Sequence, residues 1–87
     1  MKITVLDEVI SLGDKGVALL IANELGDLPL QTGSLLEDAY GNTHEVSHVY
    51  FEDGFYTVHL PHADATQVAR LLRDIRVDAT TFMLKED

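Results

Sequence analysis

Apolar residues at Ile3, Val5, Leu6, Val9, Ile10 and Leu12 open the chain, several of them β-branched and interrupted by polar neighbours. This spacing predicts a strand over Ile3–Leu12 with a bulge where the alternation slips. Gly13-Asp14-Lys15-Gly16 then signals a turn. Val17-Ala18-Leu19-Leu20-Ile21-Ala22 is a continuous apolar run too short to stand as a helix, and Gly26, Pro29 and Gly33 follow it. It reads as a strand covered on both faces.

Ser34 to Tyr40, Thr43 to Phe51 and Phe55 to Pro61 flank Gly41-Asn42 and Asp53-Gly54. Such dipeptides suit two-residue hairpin loops, because both central residues tolerate positive φ. Residues 33–61 are therefore expected to form a three-stranded meander pairing Tyr40 with Thr43, Asp38 with Glu45, Phe51 with Tyr56 and His48 with His59. Asp64-Ala65-Thr66-Gln67 has the form of a capped helix start, and Val68, Leu71, Leu72 and Ile75 recur at helical spacing. One helix near residues 65–75 follows, with Arg70, Arg73 and Arg76 toward the end where cations suit the helix dipole. Thr80–Leu84 reads as a last strand. The expected fold class is mainly β (α+β), a small antiparallel barrel or curled sheet of about six strands with one helix. With 87 residues, the chain has room for a single domain over 1–87.

Composition narrows the function. Fifteen acidic against six basic side chains leave a net charge of −9, a field that repels phosphate backbones, so free nucleic acid is not an expected partner. The chain has no cysteine, which excludes a disulfide framework, a thiolate metal site and a cysteine nucleophile. Asp7 and Glu8 interrupt the first apolar run, and no later run reaches the length that spans a bilayer. A cytoplasmic protein without membrane contact is the expectation.

Candidate chemistry gathers at one end of the meander. The expected register puts Asp38, Glu45 and His62 in one row, with Tyr40, Thr43 and Asp64 further along the same face. Two facing carboxylates repel unless a cation or a protonated imidazole lies between them. Asp38, Glu45, His62 and Asp64 thus form a candidate site for Ca²⁺, Mg²⁺ or Mn²⁺, or an acid/base cluster. No other cofactor is indicated. A second row of Leu35, His48 and His59 supplies two imidazoles, short of the three protein ligands zinc takes even in catalytic sites. His44 is four residues from His48, about 13 Å along a strand, and cannot join that ion. Ser11, Ser34 and Ser47 lie in no Gly-x-Ser-x-Gly elbow.

The meander is apolar on both faces: Leu36, Val49, Phe51, Tyr56, Val58 and Leu60 on one, Leu35, Val46, Tyr50 and Phe55 on the other. A single antiparallel layer normally keeps one side wet, so both sides call for cover by barrel closure, the helix or another subunit. The aromatic strip of His48, Tyr50, Phe55 and His59 is the candidate partner surface.

Glu8-Val9-Ile10-Ser11-Leu12-Gly13-Asp14-Lys15-Gly16-Val17 resembles the opening of the second domain of elongation factor Tu and its relatives. Leu30-Gln31-Thr32-Gly33-Ser34-Leu35-Leu36 is similar to the Leu-x-x-Gly-Asp stretch of that family, and Ala69-Arg70-Leu71-Leu72-Arg73-Asp74-Ile75 to its Leu-Leu-Arg-Gly-Ile stretch. The resemblance implies a small β-barrel, a contact with transfer RNA, and a strand where the spacing here predicts a helix. Ile21 and Asp74 replace family glycines. No Gly-x-x-x-x-Gly-Lys-Ser/Thr loop is present, so the chain is no P-loop GTPase, and Lys2 and Lys15 are the only cations before Arg70. The resulting reading is a small acidic, non-enzymatic binding or assembly module with a protein partner or self-association. A divalent-metal or acid/base site is the alternative, and a translation-linked RNA-binding barrel the second alternative.

Overall fold

The alternation of Ile3 and Val5 folds as β1, Lys2–Ser11, with both side chains buried. A computed structural model describes residues 1–22 and 28–85, so Gly26 lies outside the described residues. β1 pairs antiparallel with β2, Val17–Ala22, and the expected bulge is present: β1 advances from Val5 to Val9 while β2 advances only from Leu19 to Ile21. The extra residues bend β1 so that its first half reaches β7, Thr81–Lys85, on its other side. Between β1 and β2 a short 3₁₀ turn, Gly13–Lys15, ends at Gly16, whose φ of 94° is open to glycine at little cost. Val17, Ala18, Leu19 and Ile21 are buried, as a strand covered on both faces requires.

The remaining strands are β3, Leu35–Glu37, β4, Thr43–Glu45, β5, His48–Glu52, and β6, Phe55–Leu60. All seven form one antiparallel sheet in the order β4-β3-β7-β1-β2-β6-β5. Its two outermost strands, β4 and β5, are neighbours in sequence, separated only by Val46 and Ser47. In a flat sheet of this order they would stand roughly 29 Å apart, whereas the backbone from Glu45 to His48 reaches at most about 11 Å. The sheet therefore curls so that β4 and β5 come together at the Val46–Ser47 joint, but no ladder joins them and the sheet stays open; the particle measures 29 × 27 × 27 Å. Ile3, Val5, Val17, Leu19, Ile21, Leu36, Val46, Val58, Leu60, Phe82 and Leu84 fill the interior, each contributing about 1–3 kcal/mol of burial.

Two expectations for residues 33–61 need correction. The segment 43–51 is not the middle strand of a meander. Its first half pairs with β3 and its second half with β6, at opposite edges of the sheet. The break is local: the Ser47 amide donates to the His59 carbonyl at 2.9 Å while His48 also stands opposite His59. Two residues facing one make a bulge that redirects the strand. The first hairpin is also out of the expected register. Leu35 faces Glu45, Leu36 faces His44 and Glu37 faces Thr43, because the loop holds three residues, Ala39, Tyr40 and Gly41. The Asp38 amide donates to the Asn42 carbonyl at 2.8 Å, the Gly41 amide to the Asp38 carbonyl at 3.0 Å, and Gly41 takes φ 87°. This is a type I turn closed by a left-handed residue. The shift is odd, so it exchanges the faces: His44, rather than Glu45, shares the face of buried Leu36 and stands across from it. The second hairpin has the expected register, with Asp53 at φ 54° and Gly54 at φ 81°.

The stretch for which periodicity and resemblance disagree is helical: α1, Ala65–Leu72. Asp64 caps it, accepting from the Gln67 amide at 3.0 Å, and Val68, Leu71 and Leu72 are buried as the helix packs on β1. It ends earlier than the spacing suggests. The amides of Arg73 and Asp74 turn back to the carbonyls of Arg70 and Leu71, and the Asp74 carboxylate takes the Arg76 amide at 2.9 Å, a local bond that competes with further helix. Ile75 falls past the end and is 98% exposed, contrary to its expected place on the buried face.

Candidate functional site

Asp38 is the acidic residue buried as a whole among the described residues, its side chain 4% exposed. Its Oδ1 accepts from the amides of Tyr40 at 2.9 Å and Asn42 at 3.0 Å, and its Oδ2 lies 2.8 Å from His44 Nε2. The three-residue loop and the register shift bring these groups together. Asp38 ties its own turn, and the imidazole from the facing strand completes its shell. Behind His44 the Phe82 ring lies 6.4 Å away, centroid to centroid.

A cleft of about 440 Å³ opens beside this pair, lined in part by Asp38, His44, His62, Asp64, Gln67 and Arg70. Three of the four residues expected to hold a cation, Asp38, His62 and Asp64, therefore border one space. Glu45 does not; opposite Leu35 on β4, it borders an adjoining cavity of about 350 Å³ that it shares with His44 and His62. The two carboxylates that do border the cleft are already engaged, Asp38 by its turn and His44, Asp64 by the first turn of α1. Among the described residues, no three of His, Asp and Glu are grouped to hold a metal ion.

Tyr40 leans from the same loop toward the segment after α1, where its hydroxyl donates to Asp74 Oδ2. Asp74 also accepts from Arg76 through Nε and Nη2, each at 2.9 Å. The Arg76 guanidinium first, and the Tyr40 hydroxyl next, hold the Asp74 carboxyl well below the usual carboxylate range. The same carboxylate raises the Tyr40 phenol above its ordinary value. Spacing along the chain did not point to His44, Asp74 or Arg76. The one available signal was the Asp-x-x-Gly spacing of Asp38 and Gly41, which suits the first and last positions of a type I turn.

At the other edge of the sheet, His48, Tyr50 and His59 form a contiguous ring cluster on the outer face of β5 and β6. His48 and Tyr50 lie parallel within 4° with centroids 6.3 Å apart, and His59 stands 5.4 Å from each. Tyr50 is 54% exposed. Phe55 shares this face and is exposed, but it pairs with Glu52 at the far end of the ladder, beyond Thr57. Three of the four expected partner-surface residues thus touch, and the fourth extends the patch. Phe51, on the opposite face, packs on Tyr56 at 4.8 Å yet remains 47% exposed at the open edge. No helix of the described residues is long and apolar enough to cross a membrane.

Compared with protein-family models, curated proteins and solved structures, the chain matches none of them.

Proposed function

We propose that this protein is a small non-enzymatic binding and assembly module that works through the β5–β6 hairpin. The observation that carries the reading is the exposed cluster of His48, Tyr50 and His59 at the edge of the sheet, continued by Phe55. Rigid aromatic rings that cost little conformational entropy to dock are the groups that anchor protein interfaces. The cleft supports catalysis less well. Its carboxylates are engaged by its own turn and helix cap, and among the described residues no buried side-chain polar atom lacks a partner.

A photo-crosslinking amino acid at position 50 tests the reading in cells that produce the full chain. One or two discrete adducts are expected from position 50 and none from position 75, where Ile75 is still more open to solvent but follows α1 rather than lying on the hairpin. An absence of discrete adducts at position 50, or the same pattern at both positions, overturns it.

A further inference from the structure

The chemistry of β5 singles out one occupant for its open edge. Asp53 and Gly54 form a two-residue loop, so the flanking pair Glu52 and Phe55 exchange both hydrogen bonds, as do Tyr50 with Thr57 and His48 with His59. The backbone groups of His48, Tyr50 and Glu52 therefore point into the sheet, and those of Val49 and Phe51 point out of it. Among the described residues, no backbone bond reaches these outward groups. Sheet edges are ordinarily blunted by lysine, proline, a mid-strand bulge or extreme shortness. The other edge strand, β4, has three residues. β5 has five, carries neither lysine nor proline, and presents Val49, Tyr50 and Phe51 in a row.

The strand is also complementary to itself. Laid antiparallel across a two-fold axis at Tyr50, the sequence His48-Val49-Tyr50-Phe51-Glu52 places Val49 opposite Phe51 of the second copy and His48 opposite its Glu52. Val49 and Phe51 are both outward-pointing, so they exchange backbone bonds with each other, which satisfies the unpaired groups of both edges at once. On one face the half-exposed Phe51 is covered by the second copy's Val49. On the other, Tyr50 meets its own copy with an imidazole beside a carboxylate on either side. His48 Nδ1 lies 3.1 Å from Ser47 Oγ, and Nε2 has no partner among the described residues. Of the symmetric registers, this one alone pairs all five residues and sets each His48 against a Glu52. A chain of net charge −9 associating with itself needs a contact where like charges do not face each other, and this register has none.

We infer that two copies of this chain pair through β5 in the register centred on Tyr50, continuing the sheet across a two-fold axis. The inference rests on the hairpin being the binding surface and names its partner.

Sedimentation equilibrium of the full chain from about 10 μM to about 1 mM is expected to show the mass rising from 9.6 kDa toward twice that value. His48→Glu sets carboxylate against carboxylate on both sides of the axis and is expected to weaken association at least about tenfold. His48→Glu combined with Glu52→His again sets an imidazole opposite each carboxylate and is expected to recover it, with circular dichroism confirming that each variant is folded. Tyr50→Cys, in a chain with no other cysteine, faces itself across a non-hydrogen-bonded pair at about 4.5 Å between Cα atoms. It is expected to form an intermolecular disulfide that Phe55→Cys does not. Failure of the double variant to recover, or equal crosslinking by both cysteine variants, overturns the register. A particle that stays monomeric throughout overturns the dimer. If position 50 still yields a discrete adduct with a different protein, the binding-module reading survives that outcome; without one, both readings fall.

Discussion

The Tyr40 hydroxyl donates to the Asp74 carboxylate, joining the loop between β3 and β4 to the segment that follows α1 across 34 residues of sequence. With Arg76 on the same carboxylate, this contact fastens the helix-bearing part of the chain to the small hairpin at one end of the sheet.

Asp74 is held below its ordinary value of 3.8 in the folded chain. A carboxylate depressed by folding stabilises the folded state above the unfolded value, and that contribution fades as pH falls below about 4. Urea midpoints of the wild type and Asp74→Asn are expected to differ most above about pH 4 and to converge in more acid solution. A gap of constant size from neutral to strongly acid pH would contradict the assignment. The linked Tyr40 phenol is raised, so it favours the folded state below about pH 10 and loses that effect as pH climbs through its raised value. In Asp74→Asn the Tyr40 resonance, followed by NMR, is expected to titrate closer to 10.0.

Asp38→Ala leaves His44 Nε2 and two backbone amides without their acceptor in a buried site. Chemical denaturation is expected to show a loss of roughly 2–4 kcal/mol. Asp38→Asn keeps an oxygen for the amides and is expected to lose roughly half as much. Equal losses in the two variants would show that the carbonyl-type acceptor is not what the turn requires.

Ile75→Lys and Leu71→Ala separate the real helix face from the apparent one. Ile75 is solvent-exposed, so its replacement is expected to change stability by less than about 0.5 kcal/mol. Leu71, buried against β1, is expected to cost about 2–5 kcal/mol when truncated. Comparable effects at both positions would place the end of the helix one turn later than Leu72.

Gly16→Ala combines a positive φ with a methyl directed into the Leu60 carbonyl and the Pro61 backbone. Thermal and chemical unfolding are expected to register a loss of about 2–5 kcal/mol. Gly13→Ala, also at positive φ but in open space, is expected to lose only about 1–2 kcal/mol. A Gly16→Ala protein as stable as Gly13→Ala would mean that β2 and β6 can separate locally without cost.

Much of this architecture was legible along the chain. The slipped alternation between Val5 and Val9 announced the bulge in β1, Val17–Ala22 announced a buried strand, Asp53-Gly54 set the β5–β6 register, and Asp64 with Gln67 marked the start of α1. Each is a signal carried by a few adjacent residues, through side-chain period, φ preference or a single capping bond. The candidate site was less legible, because it depends on whether the loop at Gly41 holds two residues or three. Both loops suit the local sequence, and it is burial of both Leu36 and Val46 in the common core that selects the longer one, which brings His44 rather than Glu45 to Asp38.

What the sequence by itself determined is the set of elements and the partition of most residues into buried and exposed, since these follow from local periodicity and backbone preference. The tertiary structure decided how segment 43–52 divides between two edges, where α1 stops, and which charged groups meet. Those outcomes depend on contacts between residues far apart in the chain, where a curled sheet must fill its interior and satisfy every buried polar group at the same time.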